Sequence, residues 1–129
     1  MNKQVKISIV VPVYNEERNI KKFLERTVLS FKNIIVDYEI LFVLDPSTDS
    51  TFDIIVDQIK LNNKIKLLTL SRRFGQQAAT MAGIHNCTGD YCVIIDCDLQ
   101  DPPELIADLY NKLLDGYDVV TAKRKKRYG

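Results

Sequence analysis

The chain has 129 residues, 46% of them apolar and 27% charged, enough for one domain with its own hydrophobic core and unlike a disordered segment. A formal net charge of +1 excludes a globally basic nucleic-acid binder, so no nucleic-acid partner is expected. Cys87, Cys92 and Cys97 are odd in number and form no C-x-x-C, which excludes a disulfide framework and a zinc knuckle.

The residues Met1-Asn2-Lys3-Gln4 carry no signal-peptide pattern and lead into a β-branched run, Val5 to Val13. Its apolar part contains Ser8 and Pro12 and is too short to span a bilayer, which takes about 20 apolar residues. That run predicts a first strand. Ile20, Phe23, Leu24, Thr27, Val28 and Phe31 then recur at helical spacing and predict one apolar face. Tyr38 to Leu44 predicts a second strand. Asp49 or Ser50 can cap a second helix with Phe52, Ile55, Val56 and Ile59 on its apolar face. Ile65 to Leu70 predicts a third strand, and about Gly75 to Asn86 a third helix.

Within that helix Gly83 stands where Ala would be better by about 1 kcal/mol, so close packing or close approach to a ligand is expected there. His85, the single histidine, shares a spacing with Ala78, Met81 and Ala82 that predicts a packed, structural role. Gly89 precedes a fourth strand, Tyr91 to Ile95. Cys92 and Cys97 lie in or beside this apolar run and are expected to be buried free thiols, in a reducing, cytoplasmic setting. Asp101-Pro102-Pro103-Glu104 is a helix start, with Asp101 as cap and Glu104 three residues later. Ile106, Leu109 and Leu113 would face inward, Gly116 would end the helix, and Val119-Val120 would open a fifth strand. Strands and helices thus alternate, and nearly continuous apolar strands predict an α/β domain: a Rossmann-like, mostly parallel sheet with helices on both faces. No repeat or linker divides residues 1–129, so a single unit is expected.

In such sheets ligands bind at the carboxyl ends of the strands. There the sequence places Pro12-Val13-Tyr14-Asn15-Glu16, Asp45-Pro46-Ser47-Thr48-Asp49 and Asp96-Cys97-Asp98-Leu99-Gln100-Asp101. A rim of like charges repels itself, and a bound cation would relieve that repulsion. Asp96 and Asp98 are two apart, so in extended chain both carboxylates face one side. Hard oxygen donors of this kind suit Mg2+ or Mn2+ shared with substrate phosphates. The alternative is a solvated loop capping the next helix, but Asp101 already serves as that cap.

Val11-Pro12-Val13-Tyr14-Asn15-Glu16 resembles the opening motif of family 2 glycosyltransferases with the GT-A fold. Asp96-Cys97-Asp98-Leu99-Gln100-Asp101-Pro102-Pro103-Glu104 is similar to the "DADLQDPPE" signature of the branch that transfers sugars to polyprenyl phosphates, such as dolichyl-phosphate mannose synthase. Ser71-Arg72-Arg73-Phe74-Gly75-Gln76 resembles its "SRNFG" stretch, and Arg124 and Arg127 match its "GxRxxR" segment. The resemblance implies a nucleotide-sugar site in which Pro12, Tyr14 and Glu16 contact base and ribose. Asp45 matches the second Asp of the family's Asp-Asp-Gly-Ser-x-Asp, with Leu44 and Pro46 departing from it. It implies a catalytic metal at Asp98 with Gln100, while Asp96 shares the ion or holds hydroxyls.

Of Arg72 and Arg73, either of which could reach a phosphate, Arg72 is taken as the contact; Gly75 would admit a close ligand, and Arg124 and Arg127 would lie near phosphates. The basic run Lys123 to Arg127 also reads as a solvated tail or as a contact to an anionic membrane surface. The implied reaction is glycosyl transfer from a nucleoside diphosphate sugar to a polyprenyl phosphate at the inner face of the membrane. Related proteins run beyond the position of Gly129, so the chain is expected to be the donor-binding part of a longer protein. Surface left bare by a missing acceptor half predicts a homo-oligomer. Three other readings stay open: a polysaccharide or other non-lipid acceptor, a nucleotide-sugar-binding module without catalysis, and a receiver-like signalling domain. The last needs an acidic residue where the third strand ends in Leu70-Ser71-Arg72, and a Lys after the fifth strand, which Lys123 could supply.

Overall fold

The computed structural model describes residues 4–100 and 102–114. Four strands, β1 (Lys6–Val13), β2 (Asp37–Leu44), β3 (Ile65–Thr69) and β4 (Tyr91–Ile94), alternate with α1 (Ile20–Ser30), α2 (Thr51–Leu61), α3 (Gln76–Asn86) and α4 (Leu105–Leu114). The strands form one sheet in the order β3-β2-β1-β4, and every neighbouring pair is parallel. The expected Rossmann-like parallel sheet is the observed fold.

Strand alternation sorts the core onto two faces. Ile7, Ile9, Val11, Ile40 and Phe42 pack with Ile20 and Phe23 of α1, Ile55 of α2 and Ile106 of α4. Val10, Leu41 and Val43 face the other way, against Ala79 of α3. The central strands are covered on both sides, which is why they read as unbroken apolar runs. Phe23 and Phe42 meet edge to face with ring centroids 6.1 Å apart.

Small residues decide how α3 docks. A Cβ at Gly83 would come within 2.3 Å of Val10 Cγ1 and 3.0 Å of Val43 Cγ2, so the glycine serves close packing. Ala79 and Gly83, four apart, form the buried stripe. His85 is two residues further round the helix and is exposed, with Ala78 and Met81. The expectation of a packed His85 is corrected: residue size, not the apolar spacing through Ala78 and Met81, selected the face.

Two further expectations change. Phe52 is exposed, because the buried face of α2 is set by Thr51 and Ile55, with Ile54 and Ile59 packed beside them. Cys92 is exposed while Cys97 is buried. Among the described strands β4 lies at one side of the sheet; it turns Val93 and Ile95 into the core and leaves Cys92 and Ile94 on the opposite side, where α3 packs over β1 and β2.

Capping follows the sequence in part. Asp49 Oδ1 accepts the Thr51 amide at 3.0 Å, so Asp49 caps α2 although Ser50 holds the cap position. The amides of Leu105 and Ile106 bond back to the Pro102 and Pro103 carbonyls, starting α4 just after the prolines. Glu104 pairs with Arg26 of α1. The Asp101 cap, Gly116 and the strand at Val119-Val120 lie outside the described residues.

Candidate active site

Successive connections move outward from β1 to β2 to β3, and then return through α3 to β4 on the other side of β1. The direction reverses between β1 and β4, and a crevice opens at the carboxyl ends of strands at such a point. There the structure has a cleft of about 250 Å3 lined by Pro12, Tyr14 and Glu16 after β1, Asp45 after β2, Arg73, Gly75 and Gln76 before and at the start of α3, and Asp96 and Asp98 after β4. Residues more than eighty positions apart therefore share one cavity.

The two Asp residues after β4 line the cleft on either side of Cys97, where the chain leaves the strand and turns. Cys97 turns inward and is buried, while Asp96 and Asp98 flank it. Burial raises the Cys97 thiol well above its ordinary value, and the carboxylates of Glu16, Asp98 and Asp96 raise it further, so the thiol stays neutral. Asp96 Oδ1 accepts from Gln76 Nε2 at 2.7 Å, and Asp98 Oδ1 from the Gln100 amide at 3.1 Å. Leu99, at φ 67°, makes the turn between them.

Asp45 is 3% exposed. Its Oδ2 accepts the Gly75 amide at 3.3 Å, while its Oδ1 has no hydrogen-bond partner among the described residues. An unpaired buried acceptor costs about 1–3 kcal/mol, which a donor on a ligand would recover. Gly75 takes φ 94°, a conformation that favours glycine, and this lets its amide face Asp45.

Tyr14 is partly exposed, and the Arg73 guanidinium lies 3.9 Å from its ring centroid. Arg73 is the cation among the described residues that line the cleft. Arg72 instead stacks on Phe74 at 4.7 Å and does not line it. Gln100 is exposed and contributes its backbone, not a lining side chain. Arg124 and Arg127 lie outside the described residues. Arg73 and Gln76 are the lining residues whose part the sequence did not single out. Strand alternation ends at Thr69, so no periodicity tells which of two adjacent arginines turns inward.

The donor set fits a small, hard divalent cation. Asp96 and Asp98 both line the cleft and offer carboxylate oxygens, although among the described residues no group of three or more His, Cys, Asp or Glu is placed to hold an ion without further ligands. That is the economy of Mg2+ and Mn2+ sites completed by phosphate oxygens. The same groups suit a polar ligand with an anionic tail: a carboxylate acceptor at Asp45, and a tyrosine ring with the Arg73 cation over one face.

The family model described as glycosyl transferase family 2 matches residues 8–129. An uncharacterised glycosyltransferase of Synechocystis sp. is 42% identical over 125 residues, covering 97% of this chain and 39% of the relative. An undecaprenyl-phosphate 4-deoxy-4-formamido-L-arabinose transferase of Proteus mirabilis is 39% identical over 123 residues, covering 95% and 38%. The chain thus spans about two fifths of the length of these curated relatives. Among solved structures, the mannosyltransferase PcManGT from Pyrobaculum calidifontis, in complex with GDP-Man and Mn2+, has a TM-score of 0.75 at 23% identity, over 88% of this chain and 34% of that one, and shares the fold. S. aureus TarS 1-349 in complex with UDP-GlcNAc gives 0.63 at 26% identity, over 72% and 26%. With the parallel sheet, the cleft at its reversal point and a family match running from β1 past α4, the chain belongs to glycosyl transferase family 2.

Proposed function

We propose that this cleft binds a nucleoside diphosphate sugar together with Mg2+ or Mn2+, and that the protein transfers the sugar to a polyprenyl phosphate. One observation supports the donor site: Tyr14, Asp45, Asp96 and Asp98 line one cleft, and the Asp45 carboxylate keeps an acceptor oxygen with no partner among the described residues. An N–H on the edge of a nucleobase would satisfy Asp45 Oδ1, with Pro12, Tyr14 and Glu16 against the base and ribose. Arg73, with Arg72 close by, would face the phosphates where the Gly75 backbone admits them, and Arg124 and Arg127 would add phosphate contacts. Asp98 would hold the ion, while Asp96 would share it or hold hydroxyls; the exposed Gln100 side chain would have to turn inward to add an oxygen. When bound, the cation supplies Lewis-acid stabilisation of the diphosphate leaving group.

A polyprenyl phosphate suits the acceptor role because its oxygen is already anionic at pH 7. It can attack the anomeric carbon as the bond to the diphosphate breaks, with no general base to deprotonate it. His85, exposed and outside the cleft, is not such a base. The relative from P. mirabilis is named for an undecaprenyl-phosphate substrate, and the two solved neighbours hold sugar nucleotides. Those relatives are longer, so the proposal assigns donor binding to these residues, as part of a larger GT-A domain working at the inner membrane face. Among the described residues no helix is long and apolar enough to cross a membrane.

The test has two arms. Calorimetric titration with UDP and with GDP should show tighter binding with Mn2+ or Mg2+ than with chelator, and Asp98→Ala should abolish that difference. Equal affinity in both conditions refutes the metal role. Incubating the full-length protein with radiolabelled nucleotide sugars and undecaprenyl phosphate should then carry label into organic solvent. Label found only in polysaccharide or a soluble product would end the lipid reading and keep glycosyl transfer. Binding without transfer to any acceptor would favour a non-catalytic module.

A further inference from the structure

The β1–β2 ladder ends at the pair Val13 and Leu44, with one more bond from the Asp45 amide to the Val13 carbonyl at 3.1 Å. Tyr14 is thus the first cleft residue after β1 beyond the ladder, and Asp45 makes the ladder's last bond. What holds the two loops together from there on is a set of side-chain to backbone bonds, and Asn15 begins it. The Asn15 amide donates to Ser47 Oγ at 3.0 Å, and Ser47 Oγ donates to the Asp45 carbonyl at 3.0 Å. Asn15 Oδ1 accepts the Thr48 amide at 2.9 Å. Further along, the Glu16 amide donates to Thr51 Oγ1 at 2.9 Å, the Glu17 amide to Asp49 Oδ2 at 3.2 Å, and the Ser50 amide to Glu17 Oε2 at 2.9 Å.

Asn15 takes φ 50°, a left-handed conformation that asparagine tolerates better than most residues. That turn points its amide and its side chain at the same neighbouring loop. Asn15 is exposed and does not line the cleft. Any effect it has on a ligand must pass through its neighbours.

We propose that Asn15 is a positioning residue for the donor cleft: it locks the loop after β1 to the loop after β2, and so sets Tyr14 against Asp45. The inference rests on the donor reading given above. A nucleobase bridging a ring on one loop and an acceptor on the other needs their separation held. Without the link, that separation would have to be ordered on binding, and affinity would fall by the ordering cost.

Three variants separate the backbone conformation from the bridge. Asn15→Gly keeps the left-handed turn and removes the acceptor. Asn15→Asp keeps both, because a carboxylate can accept the Thr48 amide. Asn15→Ala removes both. The readouts are hydrogen exchange of the Thr48 amide, melting temperature, and affinity for UDP and GDP with Mn2+ at physiological ionic strength.

In Asn15→Gly the Thr48 amide should exchange faster and nucleoside diphosphate binding should weaken about fivefold, the size of one lost hydrogen bond. Asn15→Ala should weaken it further, and Asn15→Asp should restore Thr48 protection and most of the affinity. Unchanged affinity in folded Asn15→Gly, with only a lower melting temperature, would overturn the positioning role and leave the donor site standing. If the unsubstituted chain binds neither UDP nor GDP, the donor reading falls and the positioning role with it. Thr48 exchange would then still report whether the loops are joined.

Discussion

Gly83 shows what one missing methyl group does. Alanine there would gain about 1 kcal/mol in helix propensity. The new Cβ, however, would meet Val10 Cγ1 at 2.3 Å, and Val10 is fully buried in the central strand. A β-branched side chain has little rotamer freedom with which to yield. Gly83→Ala is expected to destabilise the chain by about 1–3 kcal/mol net, the usual cost of overpacking. Urea denaturation gives the sign directly, and a stabilised variant would contradict the packing account. The sequence shows that Gly83 needs a reason but leaves packing and ligand approach equally open, because the partner strands lie 40 and more residues away. The same holds for the arginines: their reach towards phosphate was legible, whereas the choice of Arg73 over Arg72 was not.

At the opposite end of the sheet from the cleft, a single carboxylate ties several elements together. Glu39 of β2 is buried, and its Oε2 accepts Ser8 Oγ of β1 at 2.6 Å and the Thr88 amide at 2.6 Å. Lys66 of β3 donates to its Oε1 at 2.8 Å, and the Gly89 amide donates to Ser8 Oγ at 2.8 Å. The turn between α3 and β4 is thereby held against the sheet, which registers the strand that carries Asp96 and Asp98. Burial pushes the Glu39 carboxyl up, but the bonds from Lys66, Ser8 and Thr88 outweigh it and bring it from an ordinary 4.5 to about 2. The folded chain therefore binds this proton less readily than the unfolded chain. The resulting stability is present above pH 4.5 and is lost as pH falls towards about 2. Melting temperatures measured across that window should fall with pH, and Glu39→Gln should show a lower value at neutral pH and a shallower decline. Parallel declines for both proteins would refute the linkage. Nothing in the sequence around Glu39 marks it out, since an acidic residue at the start of a strand ordinarily reads as solvated.

For the molecule as a whole, β4 pairs with β1 at one side of the sheet that the described strands form. Ile94 on that strand is 47% exposed, and Met81 and Ile84 of α3 are also exposed. Exposed apolar side chains favour association with another chain. The chain is therefore expected to self-associate in solution, and Ile94→Lys to increase the monomer fraction. Light scattering at high concentration checks this: a strictly monomeric mass for the unsubstituted chain would refute it.

The order of strands and helices, the parallel sheet and the gathering of acidic groups at strand ends were all determined by the sequence alone. Each depends on interactions a few residues long: alternation along a strand, the 3.6-residue turn, a cap, a proline. Only the tertiary structure decided the order β3-β2-β1-β4, which puts the reversal beside Tyr14 and Asp96. It also decided the unpartnered Asp45 oxygen, the inward turn of Arg73, the outward turn of His85 and Cys92, and the Asn15 link between two loops. These depend on contacts between residues some 30 to 80 positions apart, whose partners are chosen by strand order and by which side chains are small enough to let two elements close.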